Sequence, residues 1–295
     1  MNQMTVINAL TVDVEDYFQV SAFEKVVARD RWAEHESRVA ANTDRLLGIF
    51  AEFGVRATFF VLGWVAERDG SIVRRIAEAG HEVASHGHSH RLVYDQSPDE
   101  FRDDVRRARR VLQDLSGQPV NGYRAPSFSV TTRSLWALEV LAEEGYTYDT
   151  SIFPIRHDRY GIPDAPRHAF AVGQPFRAAE TGTHLLEIPA STVRLFGQNL
   201  PIAGGGYFRL LPYWWARFGI RRVNEVEGKP VVFYIHPWEL DPGQPRLQAP
   251  AVSRFRHYTN LGRTESRLRM LLSSFAFDSI ERSVLRPAGA LAAVS

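Results

Sequence analysis

The chain has 295 residues, and its 35 Lys and Arg against 34 Asp and Glu leave a formal charge of +1, which disfavours coating nucleic acid or anionic lipid. Apolar residues at 44% and charged residues at 23% are ordinary for a globular protein and exclude disorder as the main state. Cysteine is absent, which excludes disulfides, thiolate nucleophiles and Cys-ligated metals.

Residues 5 to 13 form a β-branched, mostly apolar run that ends in Asp13, Glu15 and Asp16, the pattern of a buried parallel strand meeting a polar rim. No Lys or Arg precedes that run, and no stretch reaches the roughly 18 apolar residues of a membrane span, so the expectation is a soluble, cytoplasmic protein. Val39, Leu46, Phe50 and Phe53 fit a helix stopped by Gly54, and residues 56 to 62 read as a second strand. A short helix over 71 to 79 leads to a third strand, 81 to 85, which runs into His86-Gly87-His88-Ser89-His90. Ser97-Pro98-Asp99-Glu100 is a helix start with a capping box, and Gly117 is the stop. Residues 120 to 123 are a short strand before Arg124-Ala125-Pro126, and Thr131 or Thr132 is the expected cap of the next helix. Strands follow at 146 to 152, 185 to 189 and 230 to 235, the last ending in His236-Pro237-Trp238-Glu239. Segments 155 to 182 and 239 to 260 read as long surface loops.

Strands alternate with helices at least five times and no linker interrupts them, which predicts one α/β domain of βα units closed into a barrel. In such a barrel the strand ends converge on one face, so Asp13 to Asp16, His86 to His90, Arg124, Asp149 and His236 would meet there. His86 and His90, spaced i, i+4, could place two imidazoles on one side of a helical turn. Taken alone, Asp16 is as well suited to capping a helix, Asp149 to a turn, Arg124 to the surface and His236 to a buried structural role. His81 reads as structural, and His88, out of register with the pair, faces solvent or supports it. Jointly, two His and one carboxylate supply the ligands of an open hydrolytic metal site, a further carboxylate a base and a distant His an acid. The Arg-rich helix around Asp103 and Asp104 reads as a solvated face.

Five motifs carry a resemblance: Thr11-Val12-Asp13-Val14-Glu15-Asp16, Ser85 to His90, Arg124-Ala125-Pro126, Asp149 to Pro154, and Ile235-His236-Pro237. In this order at strand ends, over about residues 5 to 240, the chain resembles the polysaccharide deacetylases of the carbohydrate esterase class with the NodB homology domain. Asp13 to Phe18, Gly204 to Phe208 and Phe255 to Leu261 resemble more narrowly the bacterial subgroup of exosortase and exopolysaccharide loci. The resemblance implies a distorted (β/α) barrel with fewer than eight strands, a divalent metal with Zn²⁺ first among candidates, and removal of N-acetyl groups from amino sugars of a polysaccharide. The expected organisation is a single domain over 1–295, with 240–285 as a subgroup-specific extension packed on it.

By the same resemblance, His86, His90 and a carboxylate hold the metal. The carboxylate is assigned to Asp16, whose residue type matches the family, with Glu15 as the alternative because strand alternation puts it on the Asp13 face. Asp13 held by Arg124 is the base, the N–H of Ser127 serves the oxyanion, and His236 oriented by Asp149 is the acid. The partner is an acetylated amino-sugar glycan. The alternatives are a metal-dependent amidohydrolase acting on another small C–N substrate and a non-catalytic carbohydrate-binding barrel.

Overall fold

The computed structural model describes residues 6–173 and 185–287; part of the loop expected over 155 to 182 lies outside them. The chain opens with β1 (Asn8–Val14), buried along its whole length, and then runs α1 (Val39–Phe53), β2 (Thr58–Val61), α2 (Gly63–Arg68), α3 (Gly70–Glu78) and β3 (Glu82–Ser85). It continues through α4 (Pro98–Ser116), β4 (Gly122–Tyr123), α5 (Trp136–Glu143), β5 (Tyr148–Asp149), β6 (Phe170–Ala171) and β7 (Leu186–Glu187). A hairpin of β8 (Thr192–Leu195) and β9 (Gln198–Pro201) precedes α6 (Gly205–Leu210), α7 (Tyr213–Val226) and β10 (Val232–Ile235). The C-terminal part carries α8 (Ala251–Tyr258), α9 (Leu261–Ser274) and β11 (Phe277–Asp278).

The main sheet has the order β10-β1-β2-β3-β4-β5-β7-β6. All its neighbours are parallel except β6 on β7, and β11 joins the start of β1 in parallel. The seven strands from β10 to β7 curl into an incomplete barrel, the α/β architecture expected. Between its two ends the Val232 amide donates to Ser191 Oγ at 2.8 Å, a side-chain bridge where strand pairing stops.

Residues alternate in and out of this sheet, as pleated strands require. Ala9, Phe60, Ala84, Tyr148, Ile188 and Val232 form the inner cluster, whereas Leu10, Val12, Phe59, Val83 and Phe233 belong to the larger core shared with the helices. That alternation decides which strand-end side chains can reach the barrel mouth.

The capping box at Ser97 is present with both of its hydrogen bonds. The expected cap at Thr131 or Thr132 is not: Thr131 N–H donates to Ser134 Oγ in a separate turn, and α5 starts at Trp136. Segment 239 to 260 is not all loop, since α8 lies within it. The β8–β9 turn runs through Phe196 and Gly197, both at positive φ; such turns favour Asn-Gly or Asp-Gly, so the sequence there carries no hairpin signal.

His81 has the structural role expected of it. Its Nδ1 accepts the Ala57 N–H at 3.1 Å, and its ring lies 5.0 Å from that of Phe59. Burial lowers its pKa to about 4. With the folded value below the unfolded one near 6.5, the neutral ring contributes stability that is full above pH 6.5 and is lost as pH falls toward 4. His81→Asn keeps an acceptor without titrating, so its thermal midpoint should fall less between those pH values than the wild type's. Parallel melting curves for the two proteins would reject this account.

Candidate metal and acid–base site

The inward-facing residue of β1 nearest the mouth is Asp13, and the guanidinium of Arg124 crosses the barrel to meet it. Arg124 is wholly buried. Its Nη1 donates to Asp13 Oδ1 at 2.6 Å and to Thr11 Oγ1 at 2.8 Å, Nη2 donates to Thr150 Oγ1 at 3.3 Å, and the group lies 4.2 Å over the Phe60 ring. One carboxylate oxygen of Asp13 is thereby fixed, and the other, Oδ2, lies 3.9 Å from His236 Nε2.

Two residues on, Glu15 points the same way. Its Oε2 lies 2.5 Å from His90 Nε2 and its Oε1 3.6 Å from His236 Nε2. Burial alone would raise its pKa, but the facing imidazoles of His90, His236 and His86 outweigh that and bring it to about 2. The histidine pair does not sit on a helical turn as the i, i+4 spacing suggested. Residues 86 to 90 are a loop, bent by Gly87 at φ 72 and His90 at φ 52. Asp104 of α4 anchors this loop by accepting from the amides of His88 at 2.7 Å and Ser89 at 3.0 Å. Arg29 donates to the carbonyls of Ser89 and His90. His88 is buried, with its Nε2 3.1 Å from Glu67.

The donor set fits a divalent metal. Glu15, His86 and His90 each offer one ligand atom, all within 4.8 Å of one another. Glu15 Oε2 is buried and has no well-aligned hydrogen-bond donor among the described residues. His86 Nδ1 lies 2.8 Å from the Arg124 carbonyl. A carbonyl can only accept, so Nδ1 carries the proton and Nε2 keeps its lone pair for a ligand, the usual outer partner of a metal-binding imidazole. Burial lowers the His86 pKa to about 4, which keeps the ring neutral. Two nitrogens and one oxygen from protein leave positions open for water or substrate.

Asp16, the carboxylate first assigned to the metal, is not part of this group. Its Oδ2 accepts from Ser37 Oγ and the Arg38 amide, both at 2.8 Å, and from the Val39 amide at 3.2 Å, while Oδ1 accepts from the Tyr17 amide at 3.0 Å. It caps the start of α1, where unpaired amides and the helix dipole favour a carboxylate. The strand parity of β1 carries on for one residue past its end, so the carboxylate facing the histidines is Glu15.

Asp149 is also placed differently from expectation. Its strand neighbour Tyr148 faces into the barrel, so Asp149 points outward, where it accepts the Ser151 hydroxyl and stands in register with Glu187 of β7 rather than beside His236. The partner of His236 is Glu239, three residues on: Nδ1 to Oε2 is 3.0 Å, and the His236 amide donates to the same oxygen at 3.0 Å. Arg209 of α6, itself buried, donates from Nε to Glu239 Oε1 at 2.5 Å and to the carbonyls of His257 and Thr259. Burial disfavours charge on His236, but Glu239, Glu15 and Asp13 outweigh it and push the pKa up to about 9. Neither Glu239 nor Arg209 was singled out from sequence, although His-Pro-x-Glu carries the i, i+3 spacing that made the pair findable.

Ser127 stands at φ 52 in the turn after Arg124, its Oγ 2.7 Å from Ser21 Oγ. The triple glycine abuts β10. A Cβ on Gly204 would come within 2.0 Å of the Tyr234 carbonyl oxygen, so only glycine lets α6 start that close to the strand bearing His236. His257 of α8 stacks on Trp238 with ring centroids 4.1 Å apart, and Trp238 in turn stacks on His236.

Residues 31–148 match the family model described as polysaccharide deacetylase, and residues 150–285 match one described as a domain of unknown function, DUF3473. A peptidoglycan-N-acetylglucosamine deacetylase of Bacillus cereus is 34% identical over 98 residues, 33% of this chain and 36% of that protein. A peptidoglycan deacetylase of Helicobacter pylori is 33% identical over 110 residues, 37% of this chain and 36% of that one. A chitooligosaccharide deacetylase of Bradyrhizobium sp. is 32% identical over 101 residues, 34% and 43% of the two chains. The matched segments thus span little more than a third of the first two relatives. Among solved structures, a polysaccharide deacetylase assignment from Mycobacterium smegmatis superposes with a TM-score of 0.60 at 22% identity, covering 91% of this chain and 83% of that one. An allantoinase does so with 0.55 at 15% identity, covering 91% and 83%. Both are likenesses of fold. His86, His90, Arg124 and Ser127 lie inside the first family match and His236 inside the second, Asp149 falls between the two, and Asp13 and Glu15 lie ahead of both. Residues 31–148 are a polysaccharide deacetylase domain.

Proposed function

We propose that the protein is a metal-dependent hydrolase that removes N-acetyl groups from amino sugars of a polysaccharide or its precursor. The observation that carries this is the convergence at one barrel mouth of three metal-ligand candidates, Glu15, His86 and His90, with an Arg-held carboxylate and a Glu-held histidine. The deacetylase relatives support the same reading and suggest an acetylated glycan as the partner. The likeness of Gly204 to Phe208 and Phe255 to Leu261 to the exopolysaccharide subgroup extends it to that class of glycan. We read 1–295 as one functional unit, with 240–285 as the extension packed on it.

A divalent ion, Zn²⁺ first among candidates, held by Glu15, His86 and His90 would supply Lewis-acid polarisation of the acetyl carbonyl and a water of lowered pKa. Asp13, oriented by Arg124, takes the proton of the water that attacks the carbonyl carbon. The N–H of Ser127 is the candidate donor to the oxyanion. His236, protonated at neutral pH, gives its Nε2 proton to the departing nitrogen as the C–N bond breaks, so the products are acetate and a free amine. The test is acetate release from an acetylated chito-oligosaccharide with and without chelator. Release that is abolished by chelator and restored by metal is expected, and equal release in both defeats the metal-dependent reading. An allantoinase shares the fold, so the second reading is hydrolysis of another small C–N substrate, favoured if no glycan yields acetate.

Three variants test this geometry. His86→Ala and His90→Ala each leave two of three protein ligands, so both should be purified essentially free of metal; full occupancy in either rejects the assignment. Glu239→Gln removes the nearest charge that keeps His236 protonated, which lowers the His236 pKa. The basic limb of the pH–rate profile should therefore move to lower pH, with metal content unchanged. A limb that stays where it is in the wild type removes Glu239 as the partner of the acid.

A further inference from the structure

Asp149 and Glu187 face each other from neighbouring strands on the outer side of the sheet. They are direct register partners on β5 and β7, and neither is exposed. On Asp149, Oδ1 accepts the Ser151 hydroxyl; on Glu187, Oε1 accepts the Ile152 amide at 3.0 Å. The other two oxygens, Asp149 Oδ2 and Glu187 Oε2, are buried and find no hydrogen-bond donor among the described residues. Two carboxylates buried at facing register positions, each with an oxygen that no donor satisfies, cannot both keep their charge, and one proton between them relieves both. Ser151 closes the chain: its Oγ accepts the Ala125 amide at 2.8 Å while donating to Asp149. Ala125 sits between Arg124, which holds Asp13, and Ser127.

We infer that Asp149 and Glu187 hold one proton between them and that this acid pair, acting through Ser151, is a positioning device for the Arg124–Ser127 turn. Its catalytic consequence rests on the deacetylase reading; the presence of the shared proton does not. Among the described residues, the neighbouring titratable groups are Tyr123 on β4, paired in register with Asp149, and Asp104 of α4 behind it. Arg124 lies across the sheet, reached through Thr150. β6 contributes Phe170 and Ala171, which do not titrate.

Burial, followed by the charge of Asp149, raises the Glu187 pKa well above its ordinary 4.5. A proton kept in the fold and lost from the unfolded chain gives stability that is full below 4.5 and is lost as pH rises through the folded value. Glu187→Gln puts an amide N–H where the acid proton stood and keeps the carbonyl that accepts Ile152. Asp149→Asn does the same from the other side.

The purified full chain is tested by infrared difference spectroscopy and by thermal midpoints from about pH 5 to 9. A protonated-carboxyl band at neutral pH in the wild type, lost in both single variants, is expected. The wild-type midpoint should fall with pH relative to that of Glu187→Gln, by roughly a few degrees. The double variant, with two amide donors opposed, should be less stable than either single one. No such band in the wild type, or the same pH dependence in wild type and Glu187→Gln, overturns the shared proton; if one single variant fails to fold, the other carries the comparison. Ser151→Ala should retain metal and lose kcat more than it changes KM. An unchanged kcat in that variant overturns the positioning role while leaving the deacetylase reading intact.

Discussion

Glu15→Gln is expected to purify without metal and to lose acetate release to the background level, whereas Asp16→Asn should keep both. The two carboxyls are adjacent in sequence and both buried, yet their oxygens serve opposite ends of the chain's local structure. Glu15 Oε2 faces the His pair and has no aligned donor among the described residues; a Gln there offers one neutral oxygen, or an N–H that would donate to the very lone pairs the ligand nitrogens need for the metal. Loss of an outer partner of a ligand already costs about 10–100-fold in metal affinity, so loss of a charged ligand should cost more. Asp16 already accepts from one hydroxyl and three amides. Asp16→Asn turns one of those acceptors into a donor facing donors, and its penalty should be folding stability of about 1–3 kcal/mol, read as a lower denaturation midpoint with metal content intact. Metal retained in Glu15→Gln and lost in Asp16→Asn would return the ligand role to Asp16.

The strand-ending residues that converge were legible because composition changes sharply where β1, β3, β4 and β10 end, from apolar to charged. Strand parity is legible too, since Glu15 is two residues from Asp13, but likeness of residue type to the family favours Asp16. The same parity, applied to β5, separates Asp149 from His236: Tyr148 and Thr150 face in, and Asp149 cannot face the same way as either. Its true partner, Glu187, is a strand-to-strand register contact 38 residues away, and no local pattern announces such a pairing. The charged neighbours of Asp104 on α4 suggest a solvated face, yet it lies one turn from the buried Phe101 and Ala108 and so reaches the His loop. Arg209 sits in a short helix whose start depends on glycines pressed against Tyr234, a tertiary constraint rather than a helix signal.

Asp13→Asn should keep its metal and lose about 10² to 10⁴ in turnover, the usual cost of removing a general base. The substitution preserves shape, and an Asn oxygen can still accept from Arg124 Nη1, which lies 2.6 Å from Asp13 Oδ1. What it removes is the negative charge and the second basic oxygen, which faces His236 Nε2 at 3.9 Å. Because Arg124 is fully buried, neutralising its partner also leaves an uncompensated cation, which can cost about 3–5 kcal/mol of stability. A fall in activity could therefore come from partial unfolding, and the discriminating measurement is kcat on the folded, metal-loaded fraction, with KM measured alongside. A base lost from a site whose ligands are intact lowers kcat and leaves KM nearly where it was, whereas a loosened barrel mouth raises KM and sheds metal. Arg124→Lys supplies the complementary case. It keeps a cation near Asp13 but gives up the second bond, from Nη2 to Thr150, so it should lose less rate than Asp13→Asn. If Asp13→Asn retains half its turnover on the folded fraction, Asp13 is not the base and its pairing with Arg124 is structural.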